Sequence, residues 1–176
     1  WRLDTELSGP SCAFADIGSH WIDMVENIIE QKATEVFADF ETVHKTRKKP
    51  LKPVDTYSGM ALRPEDYQEF NINVEDQCTV LFHFDGGAKG VCTISQVFAG
   101  RKNQTVISIS GSKCSLHWDS ETGNELWSGR RENYNQQIVK DPSILYEETK
   151  KVISYPGGHA EGFPDTHKQS FAKFYQ

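Results

Sequence analysis

The chain of 176 residues carries 19 Lys and Arg against 25 Asp and Glu, a formal net charge of −6 with a sequence pI near 5.5. This balance argues against general nucleic-acid binding, because phosphate contacts require clustered Lys and Arg side chains. No apolar run approaches the roughly 18 residues of a membrane span, so the sequence predicts a protein that neither binds nucleic acid nor crosses a membrane.

The first predicted element is an amphipathic helix from about Ala13 to Gln31. At about 100° per residue, a polar stripe runs beside an apolar one: the polar stripe is Asp16, His20, Asp23 and Asn27, and the apolar stripe is Ile17, Trp21, Met24, Val25 and Ile28. Residues at i and i+4 have Cβ atoms roughly 5–6 Å apart, so Asp16 is placed to orient His20. On helix geometry alone, an ordinary Asp/His pair on a solvated helix face is the simpler explanation of this spacing.

A predicted strand and a long irregular segment follow the helix. Glu35–His44 is rich in β-favouring residues and is predicted to be a strand. Residues 45–74 show little periodicity and contain three prolines, which indicates a long loop of the kind that is often functional or mobile. The basic run at residues 45–49 is interpreted as a solvated loop rather than a binding patch.

Short-linked strands dominate the middle of the chain. Thr79–Asp85 alternates apolar and polar residues, and two glycines supply turn chemistry before Lys89–Phe98, which predicts a β-hairpin. Three further strands are predicted at Gln104–Ser110, Lys113–Asp119 and Glu125–Ser128. This pattern predicts an α+β fold with a large open, mainly antiparallel sheet and helices packed on one face.

A glycine-containing loop at residues 155–162 precedes a predicted helix that begins near Phe163. The adjacent glycines permit positive φ and bring His159 close to another surface. Pro164 and Asp165 suit the first helical turn. A structural turn explains most of these features, but exposed loops often carry binding residues, so His159 is a candidate ligand contact.

The four cysteines show neither C-x-x-C nor metal-ligand spacing, and each lies in an apolar or strand-like context. They are interpreted as small buried hydrophobic residues in a reducing compartment. With no signal-peptide pattern at this N-terminus, a cytoplasmic location is expected and no metal site is predicted.

Four segments in this order resemble the glucose-fructose oxidoreductase/inositol dehydrogenase/rhizopine-catabolism (Gfo/Idh/MocA) family. They are WRLDTELSGPSCAFADIGSHWIDMVENI, VEDQCTVLFHFDGGAKG, SISGSKCSLHWD and YPGGHAEGFPDTHKQSFAKFY. In that family a Trp-Arg pair, a glycine-containing loop and a D-x-G-x-H-x-x-D helix occur in this order. The resemblance spans nearly the whole chain.

The resemblance implies a two-domain NAD(P)-dependent oxidoreductase in which a C-terminal domain, built on a large open sheet, supplies the substrate site. Neither the dinucleotide fingerprint G-x-G-x-x-G nor the family's E-K-P motif occurs in this chain. Residues 1–176 are therefore expected to be an incomplete C-terminal substrate-binding and oligomerisation domain without the dinucleotide-binding domain. NAD or NADP would bind in the full-length parent and not to this fragment, which is expected to be inactive alone.

By the same resemblance, the parent would transfer hydride to or from a sugar, inositol or related polyol. His20 would act as general base and Asp16 would orient its ring, while the candidate substrate contacts are Trp1, Arg2, Asp23 and His159. The family also implies a homo-oligomer formed through the second sheet face, where small polar residues occur at Thr93, Ser95, Ser108 and Ser110. A non-catalytic ligand-binding or assembly module with the same fold is the alternative.

Overall fold

The computed structural model describes residues 2–54 and 63–175. The chain forms two compact units, residues 1–99 and 100–176, and each is described by itself. Every strand pair in the described residues is antiparallel, and helices are few. The predicted α+β class with mainly antiparallel sheets is therefore confirmed.

The first unit begins with α1 (Thr5–Ser8) and a helix whose first turn, Phe14–Gly18, is π-helical before α2 (Ser19–Ile29). The helix ends two residues before the predicted end, because Glu30 adopts a left-handed conformation with φ 55°. Val25 is buried, but Ile17 and Ile28 of the predicted apolar stripe are exposed. The stripe therefore covers the sheet only in part.

The main sheet of this unit has the strand order β1–β4–β5, with β1 at Ala33–Glu41, β4 at Gln77–Phe84 and β5 at Lys89–Ser95. Alternate residues of β4 are buried, as period-2 patterning predicts: Cys78, Val80, Phe82 and Phe84. The Trp21 ring of α2 lies 5.8 Å from the Phe82 ring. The helix therefore packs on this face, and the predicted hairpin is confirmed.

The segment at residues 45–74 contains a second hairpin that the sequence analysis missed. Here β2 (Thr46–Pro50) pairs with β3 (Tyr67–Asn71), and a 3₁₀ turn, Pro64–Asp66, precedes β3. The interpretation of the basic run as a loop was wrong, although most of its side chains are exposed. Neither strand alternates apolar and polar residues, so period-2 reasoning had no signal to detect.

The second unit has one four-stranded sheet in the order β6–β7–β8–β9. Its strands are Val106–Ser110, Cys114–Asp119, Glu125–Arg130 and Gln136–Val139. Two further 3₁₀ turns lie at Ser120–Thr122 and Pro142–Ile144, and two helices follow the sheet, α3 at Glu147–Lys150 and α4 at Phe163–Phe174. The predicted meander and final helix are confirmed, and β9 is an additional strand.

Candidate functional site

The helix that contains the D-x-G-x-H segment begins with a π-helical turn and not with a regular α-helical turn. The N–H of Ser19 donates to the carbonyl of Phe14, five residues earlier, while the N–H of Asp16 donates to Cys12 at 3.1 Å. Such π turns insert one residue into a helical ladder and occur frequently at functional sites. The inserted residue changes the angular relation between Asp16 and His20 that α-helical spacing predicts.

A buried carboxylate far away in sequence fixes this turn. Glu75, only 6% exposed, accepts hydrogen bonds from Ser11 Oγ at 2.7 Å, Cys12 N–H at 3.0 Å and Phe14 N–H at 2.9 Å. Burial raises the pKa of Glu75, but the hydrogen bonds from Phe14, Ser11 and Cys12 outweigh burial and leave its pKa below the usual range. The charged carboxylate therefore anchors the start of the candidate site.

Gly18 allows the same turn to approach the sheet closely. A Cβ atom at this position would lie 2.5 Å from Cδ2 of the Phe14 ring and 2.9 Å from Cδ1 of Ile94 on β5. Because neither distance accommodates a side chain, the central glycine of the motif is required by packing. The contact fixes the height of the helix above the sheet.

The carboxylate of Asp16 contacts Arg2 and not the ring of His20. Arg2 Nε lies 3.2 Å from Asp16 Oδ2. His20 is exposed and makes no hydrogen bond within residues 2–54 and 63–175. The structure thus brings Arg2, Asp16 and His20 to one end of one helix, without the direct Asp16–His20 contact that α-helical spacing predicted.

The remaining predicted site residues make hydrogen bonds outside this group, belong to the second unit or fall outside the described residues. Asp23 is exposed, and its main-chain carbonyl accepts a hydrogen bond from Asn27 Nδ2 at 2.6 Å. His159 lies in the second unit, where its ring Nδ1 is 3.3 Å from the carbonyl of Gly157. Trp1 lies outside the described residues, so its predicted role stays a prediction.

The loop that carries His159 is held by an ion pair that sequence reasoning missed. Lys140 Nζ lies 2.5 Å from Glu161 Oε2 and also donates to the carbonyls of His159 at 3.0 Å and Tyr155 at 3.3 Å. Both charged side chains are little exposed, at 13% and 12%. A partly buried lysine with three acceptors gives the loop a defined conformation.

The described residues do not form a dinucleotide-binding turn. Gly87, with φ 88°, lies in the turn between β4 and β5, where no helix follows. Gly158, with φ 79°, lies in a loop that no strand immediately precedes. A pyrophosphate cradle requires a strand, a glycine-rich turn and a helix N-terminus in succession.

Residues 2–54 and 63–175 contain neither a metal-binding cluster nor a membrane-spanning helix. No group of three or more His, Cys, Asp or Glu side chains is arranged to hold a metal ion. No helix in this part of the chain is long and apolar enough to span a bilayer.

Comparison with protein families gives a match over residues 1–117 to the model described as "GFO/IDH/MocA C-terminal domain". The chain is 26% identical over 175 residues to "Uncharacterized oxidoreductase YfiI" of Bacillus subtilis (strain 168). The alignment covers 99% of this chain and 38% of that protein, so this chain spans well under half of the relative's length.

Solved structures similar to this chain include two oxidoreductases. An oxidoreductase domain protein from Kribbella flavida has a TM-score of 0.73 at 31% identity, over 93% of this chain and 41% of that chain. Levoglucosan dehydrogenase, in complex with NADH and levoglucosan, has a TM-score of 0.76 at 20% identity, over 99% of this chain and 42% of that chain. The second similarity concerns the fold alone.

Proposed function

Because this chain belongs to the Gfo/Idh/MocA family by its C-terminal domain, we propose that it is the substrate-binding domain of an NAD(P)-dependent oxidoreductase. The parent protein would transfer hydride to or from a sugar, inositol or related polyol in the cytoplasm. The similarity to two oxidoreductases supports this assignment. The identity of the substrate and the choice between NAD and NADP are properties of the full-length parent protein.

The observation that carries the proposal is an exposed imidazole on a rigidly anchored helical turn. His20 is exposed to solvent and is the second residue of α2. Glu75 and Gly18 hold the preceding π-helical turn in place. A general base must be accessible to the proton it removes and held in a reproducible position. The anchored turn supports this role because it positions the backbone of the exposed His20, whose ring would accept the proton of the substrate hydroxyl.

Asp16 and Arg2 would support this base from the same end of the helix. A carboxylate near a histidine favours the imidazolium that forms when the ring accepts a proton. Arg2, 3.2 Å from Asp16, would offer its guanidinium to a substrate oxygen and limit the movement of the carboxylate. Trp1, Asp23 and His159 remain candidate substrate contacts.

The cofactor would be bound by other parts of the parent, since the described residues lack a dinucleotide cradle. When bound, nicotinamide supplies the hydride acceptor or donor. The residues of this chain would bind the polyol, orient its carbinol and hold the proton at His20.

Self-association through a sheet face is the second part of the proposal. On the sheet of the second unit, an open cavity of about 710 Å³ is lined mainly by polar residues, among them Ser108, Ser110, Ser115 and His117. Ser108 Oγ lies 2.7 Å from His117 Nδ1, so the face is ordered rather than merely solvated. Light scattering coupled to gel filtration tests the homo-oligomer, and a monomeric mass across a wide concentration range would count against it.

The test of the catalytic proposal uses the full-length parent, assayed with both cofactors against a panel of sugars and polyols. His20→Ala should lower turnover on the best substrate by on the order of 10²–10⁴, because proton transfer loses its base. His83→Ala is the matched control, since His83 is an exposed histidine of the same unit that pairs with Glu35 at 2.9 Å. Equal turnover of the two variants would refute the assignment of His20.

The Asp16–Arg2 pair is the observation that favours the non-catalytic alternative, because it satisfies the carboxylate without the histidine. A parent that binds a polyol but reduces or oxidises none of the panel would support such a binding or assembly module. A strand, G-x-G-x-x-G and helix encoded upstream would argue for the enzyme.

A further inference from the structure

An open cleft of about 650 Å³ lies in the first unit beside the N-terminal turn and β2. Four of its lining residues are cationic and one is anionic: Arg2, Arg47, Lys48 and Lys49 against Asp4. The whole chain, by contrast, has a net charge of −6. A local concentration of one sign in a cleft raises the concentration of oppositely charged ligands there.

The positive charge of this basic cleft is only partly neutralised by neighbouring groups. Lys48 and Lys49 are exposed and form no ion pair within residues 2–54 and 63–175, although Glu69 lies opposite Lys48 in the hairpin register. Arg47 Nη2 lies 3.6 Å from Asp76 Oδ2. The two lysines therefore remain available to a ligand.

Arg47 also retains unused hydrogen-bonding capacity. Its Nε is buried and has no hydrogen-bond partner in the described part of the chain. A guanidinium has five N–H donors in a fixed geometry that matches a carboxylate or phosphate. The buried Nε is closed to solvent, but the Arg47 side chain is 34% exposed and lines the cleft, so an anion there would contact its exposed part.

The cleft also has apolar lining residues that are held in place. Phe70 and Leu3 pack against the buried cluster of Cys12, Ile72 and Val74. Apolar side chains in contact with a cationic rim suit a ligand that combines a carbon face with an anionic group. An inorganic ion alone would contact only the cationic residues at the rim of the cleft.

We propose that the basic cleft binds the anionic group of a small hydroxylated ligand, a carboxylate or a phosphate ester. Arg2 connects this cleft to the helix of His20, because it lines the cleft and pairs with Asp16. The anionic ligand is then the substrate itself, a sugar acid or sugar phosphate. Only this identification as substrate rests on the proposed function; anion binding does not.

Calorimetric titration of the chain with D-gluconate, D-glucose 6-phosphate and D-glucose tests the inference. We expect saturable binding of at least one anion with one site per chain, weaker binding at high salt, and no comparable binding of neutral glucose. Binding of gluconate alone identifies a carboxylate site, and binding of the phosphate ester alone identifies a phosphate site. Equal binding of glucose, or no binding of either anion at millimolar concentration, overturns the proposal.

A charge-matched pair of variants separates the cleft from general electrostatics. Lys48→Gln with Lys49→Gln should weaken anion binding at least about tenfold, because two charge-assisted contacts are lost. Lys89→Gln with Lys113→Gln removes the same charge from exposed positions outside the cleft. Equal affinities of the two double variants overturn the site. Turnover of neutral polyols by the parent tests the proposed function separately, since it requires no anion binding.

Discussion

Glu75→Gln is predicted to destabilise the chain by about 3 kcal/mol near neutral pH. Three donors, from Ser11, Cys12 and Phe14, point at the Glu75 carboxylate. Hydrogen bonds to a charged group contribute roughly 1 kcal/mol more than neutral ones, so loss of the charge costs about 1 kcal/mol per donor. The amide NH₂ of glutamine also places a donor where an acceptor is needed.

The effect should depend on pH in a defined direction. The folded-state pKa of Glu75 is lower than its ordinary value of 4.5, so its charge stabilises the fold fully above that value. As the pH falls from about 4.5 through the lower folded-state pKa, the carboxylate becomes protonated in both states and this contribution disappears. The difference between the wild type and Glu75→Gln should shrink over the same interval.

Urea unfolding at a series of pH values, followed by tryptophan fluorescence, measures this difference. Glu41→Gln is the matched control, because Glu41 is exposed on β1 and its carboxylate accepts a hydrogen bond from Gln77 Nε2 at 3.4 Å. The reasoning fails if the two variants have the same free energy of unfolding at pH 7. It also fails if the deficit of Glu75→Gln persists unchanged at pH 3.

Three further predictions concern packing, loop order and thiol reactivity. Gly18→Ala should cost about 1–3 kcal/mol and lower the thermal midpoint, because its Cβ would lie 2.5 Å from the Phe14 ring; an unchanged midpoint would contradict the close approach. Lys140→Met should destabilise the fold by about 2 kcal/mol and speed proteolysis near the loop, because the partly buried Glu161 carboxylate loses a charge-assisted hydrogen bond. Wild-type cleavage rates would argue against that anchor. Burial raises the pKa of Cys92 to about 12, so iodoacetamide at pH 8 should leave it unmodified until urea is added, as mass spectrometry can check.

The local sequence pattern was sufficient to predict elements in which apolar and polar residues alternate with the period of the structure. The alternation of Val80, Phe82 and Phe84, followed by a Gly-Gly turn, predicted the β4–β5 hairpin, and the structure buries all three. The helix predicted from Ala13 and the antiparallel strands predicted after residue 104 are also present. Periodicity works best for β4, because its alternate side chains are buried on one face.

Features that depend on contacts distant in sequence could not be predicted. The π turn is held by Glu75, whose contact with Cys12 joins residues 63 positions apart. The β2–β3 hairpin consists largely of polar residues, and its strands are defined by pairing such as Arg47 opposite Phe70. In neither case does the local sequence contain the information, so the Asp16–His20 contact and the loop at residues 45–49 were predicted incorrectly.

Two neighbouring carboxylates connect the two candidate sites of the first unit. Glu75 fixes the turn below His20, whereas Asp76 accepts hydrogen bonds from the N–H groups of Val43 at 2.7 Å and His44 at 3.0 Å and pairs with Arg47. Substitutions of Glu75 and Asp76 would therefore affect both the turn below His20 and the basic cleft. During laboratory selection, the exposed lysines of β2 are therefore free to vary, while the Glu75-Asp76 dipeptide is a shared structural constraint on the two proposed sites.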